Sequence, residues 1–172
     1  FLTDFYDTLY VYHPNKMLQR VCFYKNGKIE GEFQSFYDTG ELMILCEYKD
    51  GNIEGHYIEY FKNGQISQEG NYTNNIKTGE WKAYYPNGNL FSVGNFNNNL
   101  FSGNWEIYHQ NGNLKQEGEY IDGLSYGLWS FYQPDGEIFQ RGLYINDLKE
   151  GVWLEYNEEY QLFFYMNYKN GM

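Results

Sequence analysis

The chain has 172 residues, 42% hydrophobic and 22% aromatic, with 20 tyrosines, 13 phenylalanines, 4 tryptophans, 19 glycines and only 3 prolines. That length suits a single domain able to bury a core without disulfides, and the composition is neither collagen-like nor that of a disordered polar tract. Twelve basic against 23 acidic residues give a formal charge of -11, which sets the chain against nucleic-acid phosphates and anionic lipid surfaces as partners.

No apolar run approaches the roughly 18 residues of a membrane helix; the most apolar are Leu42 to Cys46 and Leu162 to Met166. The cysteines, Cys22 and Cys46, have no zinc-ligand spacing to His13, His56 or His109, so neither a metal nor a cofactor is expected. An internal repeat organises the rest. Gly31, Gly55, Gly79, Gly103, Gly127 and Gly151 stand 24 residues apart with no insertion. The array begins with a degenerate unit at 7–30, where Asp7 and Leu9 replace the glycine and its aromatic while Tyr12, Leu18, Tyr24 and Gly27 keep the pattern. A weakened first unit is what a capping repeat looks like.

Full units follow at 31–54, 55–78, 79–102, 103–126 and 127–150. Two residues after the glycine comes a large ring (Phe33, Tyr57, Trp81, Trp105, Trp129, Trp153), and five after it another (Phe36, Tyr60, Tyr84, Tyr108, Tyr132, Tyr156). Leucine or isoleucine comes eleven after it, and Tyr48, Tyr72, Phe96, Tyr120, Tyr144 and Tyr168 seventeen after it. Each unit carries a first turn signal, as at Asn63-Gly64 or Asp135-Gly136, and a second, as at Asp50-Gly51 or Asn74-Asn75. These dipeptides suit type I′ turns, and the short aromatic segments between them predict two strands per unit in an antiparallel meander of roughly 13 strands. The terminal unit, 151–172, has Tyr160 for the turn glycine and Met166 for the second-strand glycine. Its closing Lys169-Asn170-Gly171-Met172 reads as a turn toward a further strand, so the array is expected to come from a longer one.

If both turns are two-residue loops, Trp81, Leu90, Gly94 and Phe96 share one face, with the Trp81 ring opposite Gly94, Gly79 opposite Phe96 and Gly94 opposite Gly103. By the same rule Gly118 lies beneath Trp105. A three-residue first loop with a bulged glycine is the alternative, and it would split Trp81 from Leu90. In the two-residue register Cys22 and Cys46 lie two strands apart, at a Cα separation near ~10 Å, too far for a disulfide.

The opposite face carries the tyrosines five residues into each unit. From Gly31 to Gly103 it is acidic, with Glu32 opposite Glu47 and Glu106 opposite Glu117. In the last two units it turns apolar, with Leu128 opposite Leu143, Tyr132 opposite Phe139, Leu154 opposite Tyr165, Tyr156 opposite Phe163, and Val152 beside them. An apolar patch of this kind marks a protein-partner site or a self-association surface.

The unit Gly-x-Trp-x-x-Tyr-Tyr-x-Asn-Gly-x-Leu-x-x-x-Gly-x-Tyr, best seen over Gly79 to Phe96, resembles the MORN repeat in its bacterial variant form, the YwqK-like proteins. The resemblance covers residues 7 to 172 and implies an all-β, elongated single-layer sheet of successive hairpins. It also implies an antitoxin-like component or a tethering scaffold, and it brings no catalytic motif. Chemistry elsewhere is sparse. His13 and His109 fall ~40 Å apart at ~4.8 Å per strand, and Glu106 with Glu117 reads as a solvated strand pair before it reads as an acid and base. The chain is therefore expected to be a non-catalytic protein-interaction scaffold. The alternative is a carbohydrate- or choline-binding module stacking ligands on its tryptophans.

Overall fold

The computed structural model describes residues 6–172 and divides into two units, up to Gly88 and from Asn89 onward. The first holds β1 (Tyr6–Tyr12), β2 (Leu18–Lys25), β3 (Lys28–Phe36), β4 (Leu42–Lys49), β5 (Asn52–Tyr60), β6 (Ile66–Thr73) and β7 (Ile76–Tyr84). The second holds β8 (Leu90–Asn97), β9 (Leu100–Tyr108), β10 (Leu114–Ile121), β11 (Leu124–Tyr132), β12 (Ile138–Ile145), β13 (Leu148–Asn157) and β14 (Leu162–Tyr168). The fourteen strands follow chain order, with no helix among the described residues. The chain is thus the all-β meander of tandem hairpins that its 24-residue period predicts. Cys22 and Cys46 are both buried free thiols.

The second turn of each repeat is the expected type I′. Asp50 and Gly51 have φ of 53° and 86°, and Asn74 and Asn75 have 50° and 64°, which is why asparagine and aspartate alternate with glycine there. The first turn is not. Phe61 donates its N–H to the Gln65 carbonyl at 2.8 Å and Gly64 donates to Phe61 at 2.9 Å, enclosing a three-residue loop in which Gly64, at φ 82°, is left-handed and Asn63 is not. This is the alternative register, and a second irregularity accompanies it. Tyr60 pairs with Ile66 and Glu59 with Gln68, so Ser67 is extruded as a bulge. The bulge restores the deeper pairing of Tyr57 with Gly70, while Leu42, Ile66, Leu114 and Ile138 all pair with the ring five residues into their own unit. The leucine row therefore shares the tyrosine face, not the tryptophan face.

A third irregularity explains the period itself. Asn97 pairs with Leu100 and Phe96 with Phe101, but Gly94 then pairs with Trp105, so Gly103 and Asn104 are accommodated as a bulge and Gly94 does not meet Gly103. Gly103 sits at φ 67° with nothing within 4 Å of the place its Cβ would occupy. Gly31, Gly55, Gly79, Gly127 and Gly151 share that conformation. These glycines are required by backbone handedness, not by a ring lying over them.

Sterics govern the other glycine row. A Cβ on Gly118 would lie 2.1 Å from the Trp129 ring, and one on Gly142 would lie 2.2 Å from Trp153. Although Gly118 pairs with Trp105 along the backbone, the indole covering it belongs to the following repeat. Where that position holds cysteine, the ring is smaller: Cys22 pairs with Phe33 and Cys46 with Tyr57. The core is this face. Trp81, Trp105, Trp129 and Trp153 are 0–7% exposed, packed edge-on against neighbours such as Phe101 (4.6 Å from Trp105) and Tyr144 (4.9 Å from Trp153). Such pairs add about 0.5–1.5 kcal/mol each beyond their burial. Lysines close the row, with the Lys77 ammonium 3.7 Å from the Trp81 centroid and that of Lys149 4.3 Å from Trp153.

Candidate interaction surface

With the rings committed to one face, the other face of β11–β14 is free to present side chains. Leu128 pairs with Leu143, Leu154 with Tyr165 and Tyr156 with Phe163, as the spacing predicts. Leu128, Leu143, Val152, Phe163 and Tyr165 are exposed, Tyr165 by 79% and Val152 by 62%, while Tyr132, Leu154 and Tyr156 are half-buried. Phe139 does not join them. The bulge before Gln140 pairs Tyr132 with Ile138 instead, and the Phe139 ring packs 6.2 Å from Phe131, two residues from Trp129 on the tryptophan face.

Two features of this surface, and one on the opposite side of β14, went unread in the sequence. Arg141 lies opposite both Ser130 and Leu154, placing a cation within the patch; strand alternation from Leu143 already puts it there. Tyr126, paired with Glu119 and exposed, extends the patch beside Leu128. On β14 the residues facing the tryptophan side, Phe164 and Met166, are exposed as well, because in the structure only β13 pairs with this strand.

The acidic neighbourhood begins where the patch ends. Glu106 lies opposite Glu117; the Tyr132 hydroxyl donates to Glu117 at 2.6 Å and the Tyr108 hydroxyl donates to Glu106. Hydrogen bonding to Glu106, then burial, pushes the Tyr108 hydroxyl up to about 12; burial, then Glu117, raises that of Tyr132. A groove of 380 Å³ runs between Glu106, Glu117, Glu119, Leu128 and Arg141. Each of the two carboxylates thus accepts a hydrogen bond from a tyrosine hydroxyl. His13 and His109 each engage the backbone of the next repeat, through Phe36 O at 3.0 Å and Tyr132 O at 2.8 Å. The tryptophans offer no open ring face for stacking, and the indole N–H of Trp81, Trp105 and Trp153 is donated to the carbonyls of Asn71, Asn95 and Leu143.

Hairpins repeated at a fixed period, each lending its ring to the glycine of the strand before it, define a tandem β-hairpin repeat protein. The family model of the MORN repeat variant matches residues 29–50, 53–74, 77–98 and 102–122, just over half of the chain. The chain belongs to that family. A search of curated proteins found no match. Among solved structures, the GtfA/B complex bound to UDP and GlcNAc is similar at 13% identity and a TM-score of 0.27 over 63% of this chain, which spans 21% of that one. A protein of unknown function from Bacteroides fragilis NCTC 9343 is similar at 6% identity and a TM-score of 0.15, over 95% of this chain and 90% of that one.

Proposed function

We propose that the chain is a non-catalytic protein-interaction scaffold, with the role of an antitoxin-like component that its bacterial-type repeats resemble. The observation that carries this reading is the exposed apolar patch of Leu128, Leu143, Val152, Phe163 and Tyr165 on the face the core does not use. Tyrosine and phenylalanine are efficient interface anchors because they bury much area for few rotatable bonds. The acidic groove beside the patch suits a partner presenting apolar residues flanked by lysine or arginine, since charge of opposite sign speeds encounter and fixes register.

The test is affinity capture from the cells that make the protein, using the wild-type chain and a Leu128→Ser, Leu143→Thr, Tyr165→Gln variant. The variant is expected to melt like the wild type, because its substitutions leave the tryptophan face alone, and to lose its partner or its self-association. Retention of both by a folded variant would overturn the assignment of the patch and direct attention to Glu106, Glu117 and Glu119.

A further inference from the structure

The apolar face of the second unit is wider than the patch that carries the proposed function. The residues flanking each second turn pair across it at the strand ends. In the first unit two such pairs are polar, Lys25 opposite Lys28 and Lys49 opposite Asn52, so the hairpin closes there without apolar side chains. In the second unit the corresponding residues are Ile121 opposite Leu124 and Ile145 opposite Leu148, all four exposed by 42–47%. Strand alternation puts Ile145 on the side of Leu143, and Tyr126 and Leu124 stand opposite Glu119 and Ile121 on that same side. The hairpins do not require these side chains, and the tryptophan core does not use them.

Together with the patch, the exposed apolar residues of this face present roughly 1,000 Å², beyond the ~300–600 Å² of a monomer's largest patch and enough for the ~800 Å² each side of a stable interface contributes. Homodimer interfaces are the more apolar kind. The charges within the face also complement one another. Arg141 stands two residues from Leu143 on β12, and Glu150 stands opposite Leu143 on β13, accepting the Asn170 N–H through Oε2 at 2.9 Å. A two-fold contact repeats every pairing twice, so an axis beside Leu143 sets Arg141 of each copy against Glu150 of the other. We propose that this face is the interface of a homodimer, two copies stacking sheet to sheet over it. The inference rests on the reading of the patch as an interface and names its occupant as a second copy of this chain.

Sedimentation equilibrium of the full chain tests it. A dimer with a micromolar or tighter dissociation constant is expected. Leu124→Thr with Leu148→Gln, which leaves Leu128, Leu143 and Tyr165 in place, should weaken it at least tenfold at an unchanged melting temperature. Arg141→Glu should weaken it as well, and adding Glu150→Arg should restore it. The preceding repeat carries Tyr126 where Glu150 stands, so the turn folds without that carboxylate. A chain that stays monomeric at about 100 μM would overturn the proposal, while loss of a captured partner through Leu128, Leu143 and Tyr165 would still uphold the patch as an interface for another protein. A dimer indifferent to the leucine pair would overturn it by placing the contact elsewhere, and failure of Glu150→Arg to rescue Arg141→Glu would overturn the two-fold pairing.

Discussion

Gly118→Ala isolates the packing rule of the array. The added methyl would lie 2.1 Å from Cδ2 and 2.2 Å from Cε2 of Trp129, more than 1 Å inside ordinary contact, so the indole must retreat from Tyr120 and Tyr144, whose centroids lie 5.0 and 6.1 Å away. A buried tryptophan covers roughly 150–250 Å². Losing about half of that at ~25 cal/mol per Å² costs about 2–3 kcal/mol. Trp129→Phe in the same chain should relieve the clash, since Phe33 and Tyr57 already pack against Cβ-bearing Cys22 and Cys46. A double-mutant cycle by urea unfolding, followed by circular dichroism, should then give a coupling of about 2 kcal/mol between positions 118 and 129. Coupling of Gly118 to Trp105 instead, or none to Trp129, would refute the packing of each indole over the glycine of the preceding repeat.

At Gly103, where φ is 67° and no atom lies near, alanine should cost about 1–2 kcal/mol through left-handed strain alone; asparagine should cost less, and urea midpoints will separate the two. Alkali should destabilise the fold. Burial pushes the Cys46 thiol up from 9.0 to about 11, and Glu106 with burial pushes the Tyr108 hydroxyl up from 10.0 to about 12. Both protons are held more tightly when folded, so their contribution is full below the unfolded values and lost as pH rises through about 11–12. Urea midpoints measured across that range should fall, and less steeply in Tyr108→Phe. Cys22 and Cys46 should resist a disulfide reagent in the native chain and both react once it is unfolded, since both are buried free thiols; fewer than two reactive thiols after unfolding would mean a disulfide.

What the sequence made legible was whatever depends on periodicity. The strand count per repeat, the type I′ second turns, the pairing of Leu128 with Leu143 and the acidic stretch at Glu106 and Glu117 all follow from spacing and residue type. The bulged first loop was legible only as an alternative, and the other bulges were not legible at all, because an extruded residue such as Ser67 has no chemical mark. Three further errors followed from them: the side assigned to the leucine row, Phe139 placed in the patch, and Trp105 rather than Trp129 set over Gly118. The 24-residue glycine was legible as a position but not in its cause, since a left-handed bulge and a ring opposite demand the same residue. Arg141 was legible by alternation and overlooked beside its apolar neighbours.

Hydroxyl-radical footprinting of the chain, alone and with its captured partner, tests the functional account most directly because it reads side-chain exposure residue by residue. Tyr165, Phe163, Leu128 and Leu143 should label strongly in the free chain and be protected in the complex, while Trp105 and Trp153, buried in the array itself, should label weakly in both. Tryptophans that label strongly when free and are shielded only by a partner or by an added sugar or choline would contradict it, and would return the aromatic face to ligand binding.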